Sequence, residues 1–130
     1  LVAAQAADII QPDVCVCGGL LEMRKIAAIA EAHYVTIAPH NPMSPVATAV
    51  NVHFAAATPN FKILEYILPL HNEWKDWVDE PYLPKDGYLE LRPDRPGLGV
   101  EINEEAITDN EYVHWERSSP TRPDGSTGYI

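Results

Sequence analysis

The sequence is poor in cysteine, in basic side chains and in long apolar stretches. Two of its 130 residues are cysteine and nine are Lys or Arg, against 19 Asp or Glu, which gives a formal net charge of −10. Such acidity disfavours a nucleic-acid partner, because phosphates are bound by clustered Lys and Arg. No apolar run approaches the roughly 20 residues that a membrane-spanning helix needs. We therefore expect neither a nucleic-acid nor a membrane partner.

The N-terminus also lacks a targeting signal. The first residue is Leu1 rather than Met, and no charged region precedes an apolar stretch. We therefore expect a cytoplasmic protein, and the start at Leu1 favours a chain cut from a longer polypeptide.

The two cysteines, Cys15 and Cys17, are separated by one residue. A metal site would require further Cys or His residues at ligand spacing, and this segment has none. Side chains two apart on a strand share one face. We therefore expect two small buried side chains at a strand end, with metal or redox chemistry as the alternative.

What the sequence does contain is a repeat of strand and helix patterns. Hydrophobic residues make up 46 % of the chain, enough for a folded core. Apolar spacing predicts, in chain order, a strand at 7–10 that resumes at 14–16, a helix from Leu20, a strand at 34–38, a helix at 45–58 and a strand at 61–64. This alternation favours an α/β fold with parallel strands.

Polar residues with acid/base chemistry follow each predicted strand. Asp13, His40 and Glu65 are 27 and 25 residues apart, about one strand–helix unit each. If the strands are parallel and adjacent, the three side chains lie on the carboxyl rim, where (β/α)-barrel active sites form. A carboxylate beside a histidine fixes its tautomer, and a second carboxyl group can donate a proton. Polar strand ends are also common without catalysis, so the pattern alone leaves both interpretations open.

Several phrases in the chain together resemble one family. They are QPDVCVCGGLLEMRKIAAIAEAH, APHNPMSPVATA, ATPNFKILEY and RPGLGVEI. In this order and spacing they resemble the C-terminal part of the mandelate racemase/muconate lactonizing enzyme group of the enolase superfamily. The resemblance is strongest to acid-sugar dehydratases of the galactonate dehydratase type.

The resemblance implies a fold and a division of the chain. It implies strands six to eight of a (β/α)7β barrel, with residues 1–66 forming the last β/α units. Residues 67–130, which carry a formal net charge of −8, would extend toward the capping domain. Within them we expect a strand at 87–91 and a short helix at 104–111 with Asn103 as its N-cap.

The resemblance also implies a mechanism. A Mg²⁺ ion stabilises the enediolate formed when the proton next to a carboxylate is removed, and the 3-hydroxyl then leaves to give a 2-keto-3-deoxy acid. His40 would be the acid/base, Asp13 would orient it, and Glu65 would hydrogen-bond the substrate carboxylate. Asn41, which follows His40, would bind substrate or form a structural turn. The partners implied are a small-molecule sugar acid and further copies of the full-length chain in a homo-oligomer.

The departures from the family pattern concern the metal. In the family, the carboxylate ligands of the metal lie on earlier strands of the barrel. We therefore expect no metal ligand in this chain and expect the chain alone to be inactive. A racemase, epimerase or cycloisomerase of the same superfamily, and a non-catalytic barrel fragment or interaction module, remain as alternatives.

Overall fold

The computed structural model describes residues 1–68, 74–108, 114 and 121–126. Its named elements are two short strands and three helices. In chain order they are β1 (Ile9–Ile10), α1 (Leu20–Glu31), β2 (Thr36–Ile37), α2 (Pro45–Ala56) and α3 (Glu104–Thr108). Turns of 3₁₀-helix cover Val2–Ala4 and Lys75–Trp77. Among the described residues, no helix has the length and apolar character needed to cross a membrane.

The strands pair as the alternation predicted. β1 and β2 are parallel, with Ile9 opposite Thr36 and Ile10 opposite Ile37. On the other side of β2, Phe61 forms a parallel bridge with Ile37. β2 therefore lies between the two other strand segments, and the carboxyl ends of all three point the same way.

Helices α1 and α2 bury their small and apolar residues against this pairing. Met23, Ala27 and Ala30 recur at helical spacing on α1 and are buried. α2 begins where the Ser44 hydroxyl accepts a hydrogen bond from the Ala47 N–H and Pro45 takes the first helical position. The main apolar core contains Val14, Met23, Ala27, Ala30, Val35, Ile37, Ala47 and Phe54.

The segment after Asp13 is a turn, and the prediction of a strand at 14–16 is wrong. The N–H groups of Val16 and Cys17 donate to the main-chain oxygen of Asp13, and that of Cys15 donates to its carboxylate. This Asp-centred turn offers the backbone an alternative to the sheet. Cys15 is consequently exposed and Cys17 only half-buried, so the expectation of two buried cysteines is also wrong.

Residues 74–108 pack on α2 through a second apolar cluster. Tyr82 is buried against Ala49 and Val52. Gly99 has a φ of +72°, and a Cβ there would approach the Tyr82 hydroxyl to 2.6 Å, so only glycine fits. The predicted strand at 87–91 is absent from this described segment, where Lys85 and Tyr88 form a single antiparallel bridge across the Asp86–Gly87 turn.

The helix predicted to follow Asn103 is present as α3. Its first turn carries Glu104 and Glu105, and the Asn103 side-chain oxygen accepts from the Ala106 N–H at 3.3 Å. The N-cap prediction is therefore confirmed. The predicted end of this helix, at residues 109–111, lies outside the described residues.

Candidate functional site

The site is built where the parallel ladder runs past the ends of β1 and β2. Every second N–H group on the second strand segment donates to a carbonyl of the first segment: Thr36 to Asp8, Ala38 to Ile10 and His40 to Pro12. His40 is therefore held beside Pro12, one residue before Asp13. The register of the sheet, rather than a loop, sets the distance between the two side chains.

Asp13 and His40 form a close pair. His40 Nδ1 lies 2.8 Å from Asp13 Oδ2, and the Cys15 N–H donates to Asp13 Oδ1 at 2.8 Å. A carboxylate only accepts hydrogen bonds, so Nδ1 carries the proton and the Nε2 atom of a neutral His40 is left as the basic nitrogen. The Asp13 side chain is 7 % exposed and that of His40 is 47 % exposed, so the imidazole faces the open side.

Glu65 reaches the same place through an irregularity in the third strand segment. The Lys62 N–H donates to the Ile37 oxygen, and the next bond to this strand, from the Glu65 N–H, goes to the Pro39 oxygen at 3.4 Å. The chain advances three residues from Lys62 to Glu65 but only two residues on the partner strand, from Ile37 to Pro39. Such an extra residue on one strand is the signature of a bulge. The extra residue places Glu65, rather than Leu64, opposite Pro39.

The carboxylate of Glu65 closes the cluster. Its Oε2 atom lies 3.9 Å from His40 Nε2, too far for a hydrogen bond but within ion-pair range. An imidazole with one free nitrogen beside a partly exposed carboxyl group can move a proton to or from a bound molecule. The structure thus brings together the three side chains that the sequence pattern selected.

Asn41, the fourth predicted residue, lies behind the cluster. It is 1 % exposed, and its main-chain N–H donates to Glu65 Oε2 at 2.9 Å. Its side-chain amide donates to the Glu65 main-chain oxygen at 3.1 Å and to Thr48 Oγ1 at 3.0 Å, and it accepts from Asn51 at 3.0 Å. The side chain contacts the protein interior rather than the open side.

Sequence reasoning missed Thr48 and Asn51. Both are fully buried on α2, three residues apart, in a helix otherwise made mostly of Ala and Val. Residues three apart share a helix face. Two polar residues on one buried face were the signal that could have revealed a polar network behind the site.

The neighbouring cysteine is not a competing nucleophile. Although Cys15 lies at the surface, partial desolvation of its thiol raises its pKa, and the nearby Asp13 carboxylate adds to this rise. A thiol with a raised pKa stays protonated at neutral pH, and the thiolate is the reactive form. The groups of this cluster that are suited to acid/base chemistry are therefore the imidazole and the carboxyl groups.

The described residues do not offer a complete metal site. Among them, no group of three or more His, Cys, Asp and Glu side chains is arranged to hold a metal ion. Asp13 is already committed to a main-chain N–H and to His40. The described part of this chain therefore does not fit a resident Mg²⁺ by itself.

Comparisons with known proteins identify the family of this chain. Residues 1–106 match the family described as enolase C-terminal domain-like. The D-xylonate dehydratase of Haloferax volcanii is 41 % identical over 107 residues, covering 82 % of this chain and 26 % of that protein. The D-galactonate dehydratase of Verminephrobacter eiseniae is 37 % identical over 133 residues, covering 97 % and 35 %. The D-galactarolactone cycloisomerase of Agrobacterium fabrum is 41 % identical over 115 residues, covering 82 % and 30 %.

Solved structures give the same family. An enolase from Agrobacterium radiobacter, bound to Na and L-malate, is 55 % identical with a TM-score of 0.86, covering all of this chain and 36 % of that one. An enolase from Pantoea ananatis with bound D-gluconate and Mg is 30 % identical with a TM-score of 0.75, covering 84 % and 26 %. This chain thus spans about a third of the length of the relatives it matches. It belongs to the enolase superfamily, in the enolase C-terminal domain-like family.

Proposed function

We propose that this chain supplies the proton-transfer residues of an acid-sugar dehydratase. The observation that carries the proposal is the Asp13–His40 pair, with Nδ1 tied to the carboxylate at 2.8 Å and an exposed imidazole beside Glu65. The names of the relatives support the substrate class, because xylonate and galactonate are sugar acids.

In this proposal each residue has one role. His40 Nε2 exchanges a proton with the substrate, either at the carbon next to the carboxylate or at the leaving 3-hydroxyl. Asp13 holds the ring and stabilises its cation. Glu65, when protonated, donates a hydrogen bond to the substrate carboxylate oxygen that becomes an enolate oxygen when the proton is removed. The C2–H and C3–O bonds break, water leaves, and the enol tautomerises to a 2-keto-3-deoxy acid.

The proposal extends to the architecture. Residues 1–66 would be the last β/α units of a (β/α)7β barrel, and 67–130 would return toward a capping domain. The parallel order of β1, β2 and the segment at Phe61 supports this, as does coverage of 36 % of the A. radiobacter chain. Mg²⁺ would be held by carboxylates outside this chain, and the full-length protein would form a homo-oligomer.

A chimera tests the proposal. In it, this chain replaces the matching 36 % of the A. radiobacter enolase. We expect the chimera to dehydrate at least one acid sugar in a library assayed with Mg²⁺, with the 2-keto-3-deoxy product identified by mass spectrometry. His40→Asn should lower kcat on the order of 10²- to 10⁴-fold, the usual contribution of an acid/base group. Unchanged turnover in His40→Asn would overturn the assigned role.

A second candidate is cycloisomerisation, favoured by the 41 % identity to the D-galactarolactone cycloisomerase. The same library distinguishes the two, because a cycloisomerase product has the mass of its substrate whereas a dehydratase product is one water lighter. If the chimera is folded but converts nothing, the non-catalytic alternative gains.

We further propose that the isolated 130-residue chain folds poorly or associates, and that it is inactive alone. Within the described residues, β1 and the third strand segment each pair on one side only, and open strand edges promote association. Ile63, beside the third segment, is 64 % exposed. A cooperative, concentration-independent circular-dichroism melt of the isolated chain would contradict the expectation of poor folding or association.

A further inference from the structure

The feature that the proposed mechanism does not use is the buried polar network between Glu65 and α2. Asn41, Thr48 and Asn51 are at most 1 % exposed, and they lie at a helix surface otherwise lined by Ala and Val. Asn51 Oδ1 has no hydrogen-bond partner among the described residues. An unpaired buried oxygen costs free energy, so the network is not explained by stability alone.

Glu65 depends on this network because its strand segment is irregular. The bulge leaves Glu65 with one long hydrogen bond to the strand segment that contains β2. This bond runs from the Glu65 N–H to the Pro39 oxygen, at 3.4 Å. Asn41 supplies the two shorter contacts. Its side-chain amide donates to the Glu65 main-chain oxygen at 3.1 Å, and its main-chain N–H donates to Glu65 Oε2 at 2.9 Å.

Asn41 can make the side-chain contact to the Glu65 main-chain oxygen because its own side-chain amide is fixed. Thr48 Oγ1 lies 3.0 Å from Asn41 Nδ2, and Asn51 Nδ2 lies 3.0 Å from Asn41 Oδ1. The Glu65 carbonyl only accepts, so the nitrogen of the Asn41 amide must face it. Helix α2 thereby sets the position of a carboxyl group that lies outside it.

The Asn41 N–H also distinguishes the two oxygens of Glu65. Oε2 accepts this N–H and lies 3.9 Å from His40 Nε2. An oxygen already accepting a hydrogen bond in this geometry is the poorer place for the acidic proton of a neutral carboxyl group. In the protonated form that the proposed function requires, Oε1 is therefore the better place for the proton of Glu65.

We propose that Asn41 is a positioning residue, which aims Glu65 Oε1 at the substrate, rather than a residue that contacts substrate. This inference rests on the proposed function, since it assigns Glu65 a role in turnover. An interaction that strengthens only in the transition state affects kcat more than KM.

The test compares Asn41→Ala with Asn60→Ala in the chimera. Asn60 is the matched control, because its side-chain amide likewise donates two hydrogen bonds, to the main-chain oxygens of Ala27 and Val35, and contacts none of the three cluster side chains. We expect Asn41→Ala to lower kcat up to about 100-fold, as for a misplaced catalytic group, with KM changed less than about threefold. Asn60→Ala should lower the melting temperature but leave kcat within about twofold.

Equal losses of kcat in the two variants would overturn the inference, as would a rise in KM alone for Asn41→Ala. Thr48→Val, which keeps the side-chain shape and removes one partner of the Asn41 amide, should give a smaller loss of kcat in a protein that still folds. An unchanged kcat in Thr48→Val and Asn41→Ala would also refute the role.

A measurement independent of turnover separates this inference from the proposed function. The main-chain amide proton of residue 41 is expected to exchange slowly in the chimera and at least about tenfold faster in Glu65→Ala, which removes its acceptor. If no acid sugar is converted but this difference is observed, the proposed function fails while the contact stands. Equal exchange in both proteins would overturn the contact itself.

Discussion

Two aspartates in this chain have the same pattern of partners and different consequences. Asp13 accepts a main-chain N–H from Cys15 on Oδ1 and pairs with His40 through Oδ2. Asp79 accepts a main-chain N–H from Glu101 on Oδ1 and pairs with Arg95 through Oδ2. One pair belongs to the candidate site and the other holds the acidic segment at 74–108 together.

The difference lies in which partner is exposed and whether it can titrate. In the first pair the aspartate side chain is 7 % exposed and the histidine 47 %; in the second the aspartate is 43 % exposed and the arginine 24 %. Arg95 is always charged and spends its second nitrogen on Glu80. A buried acid behind an exposed imidazole is an arrangement suited to proton transfer, whereas an arginine fork between two carboxylates holds two segments together.

The largest effect expected from this comparison is on turnover. Asp13→Asn in the chimera should lower kcat on the order of 10²- to 10⁴-fold, because the amide no longer fixes the His40 tautomer or stabilises its cation. Asp79→Asn is the matched control and should leave kcat within about twofold. Steady-state kinetics of both variants checks this, and a similar loss in both would erase the distinction between the pairs.

A smaller effect is expected on the free energy of unfolding, and it concerns Arg92, the other arginine of the described segment at 74–108. Arg92 donates to the main-chain oxygens of Glu80, Pro81 and Gly99 and lies 4.2 Å from the centre of the Tyr82 ring. Arg92→Lys keeps the charge but cannot span three acceptors, so we expect a loss of about 2 kcal/mol in the free energy of unfolding.

Denaturant unfolding of the chimera measures this loss, with kcat expected to stay within about twofold. Arg95→Lys, at the more exposed clamp, serves as the comparison and should cost less. A greater loss at Arg95 than at Arg92 would reverse the order assigned to the two arginines.

The smallest effect is the pH dependence of the Asp79 clamp. The Glu101 N–H and then the Arg95 guanidinium lower the pKa of Asp79 below its usual value. A carboxyl group with a lowered pKa in the folded state adds stability above its unfolded pKa, near 3.9, and loses it as the pH falls through the folded pKa. The melting temperature of Asp79→Asn should therefore be lower than that of the parent at pH 7, with the gap closing in acid. A gap that persists at about pH 2 would contradict this assignment.

Local patterns predicted the first half of the chain well. The apolar stripe of Met23, Ala27 and Ala30 and the proline before α2 are features of neighbouring residues, which is why both helices were found. The missed turn at Asp13 shows the limit. Val14 and Val16 favour a strand, but the Asp13 carboxylate and carbonyl accept hydrogen bonds from the N–H groups of Cys15, Val16 and Cys17. The same limit applies to residues 87–91, where a tight turn pairs Tyr88 with Lys85 and no strand ladder is described.

The sequence by itself determined that two strand–helix units are followed by a third strand and that Asp13, His40 and Glu65 lie at the strand ends, because hydrophobic period and unit length are local properties. Only the tertiary structure decided how these residues act together. Three features depend on contacts between distant segments: the bulge before Glu65, the hydrogen bond from Asn41 to the Glu65 carboxylate 24 residues away, and the burial of Asn51. No local pattern records such contacts, since their energies exist only once β2, the third segment and α2 have packed.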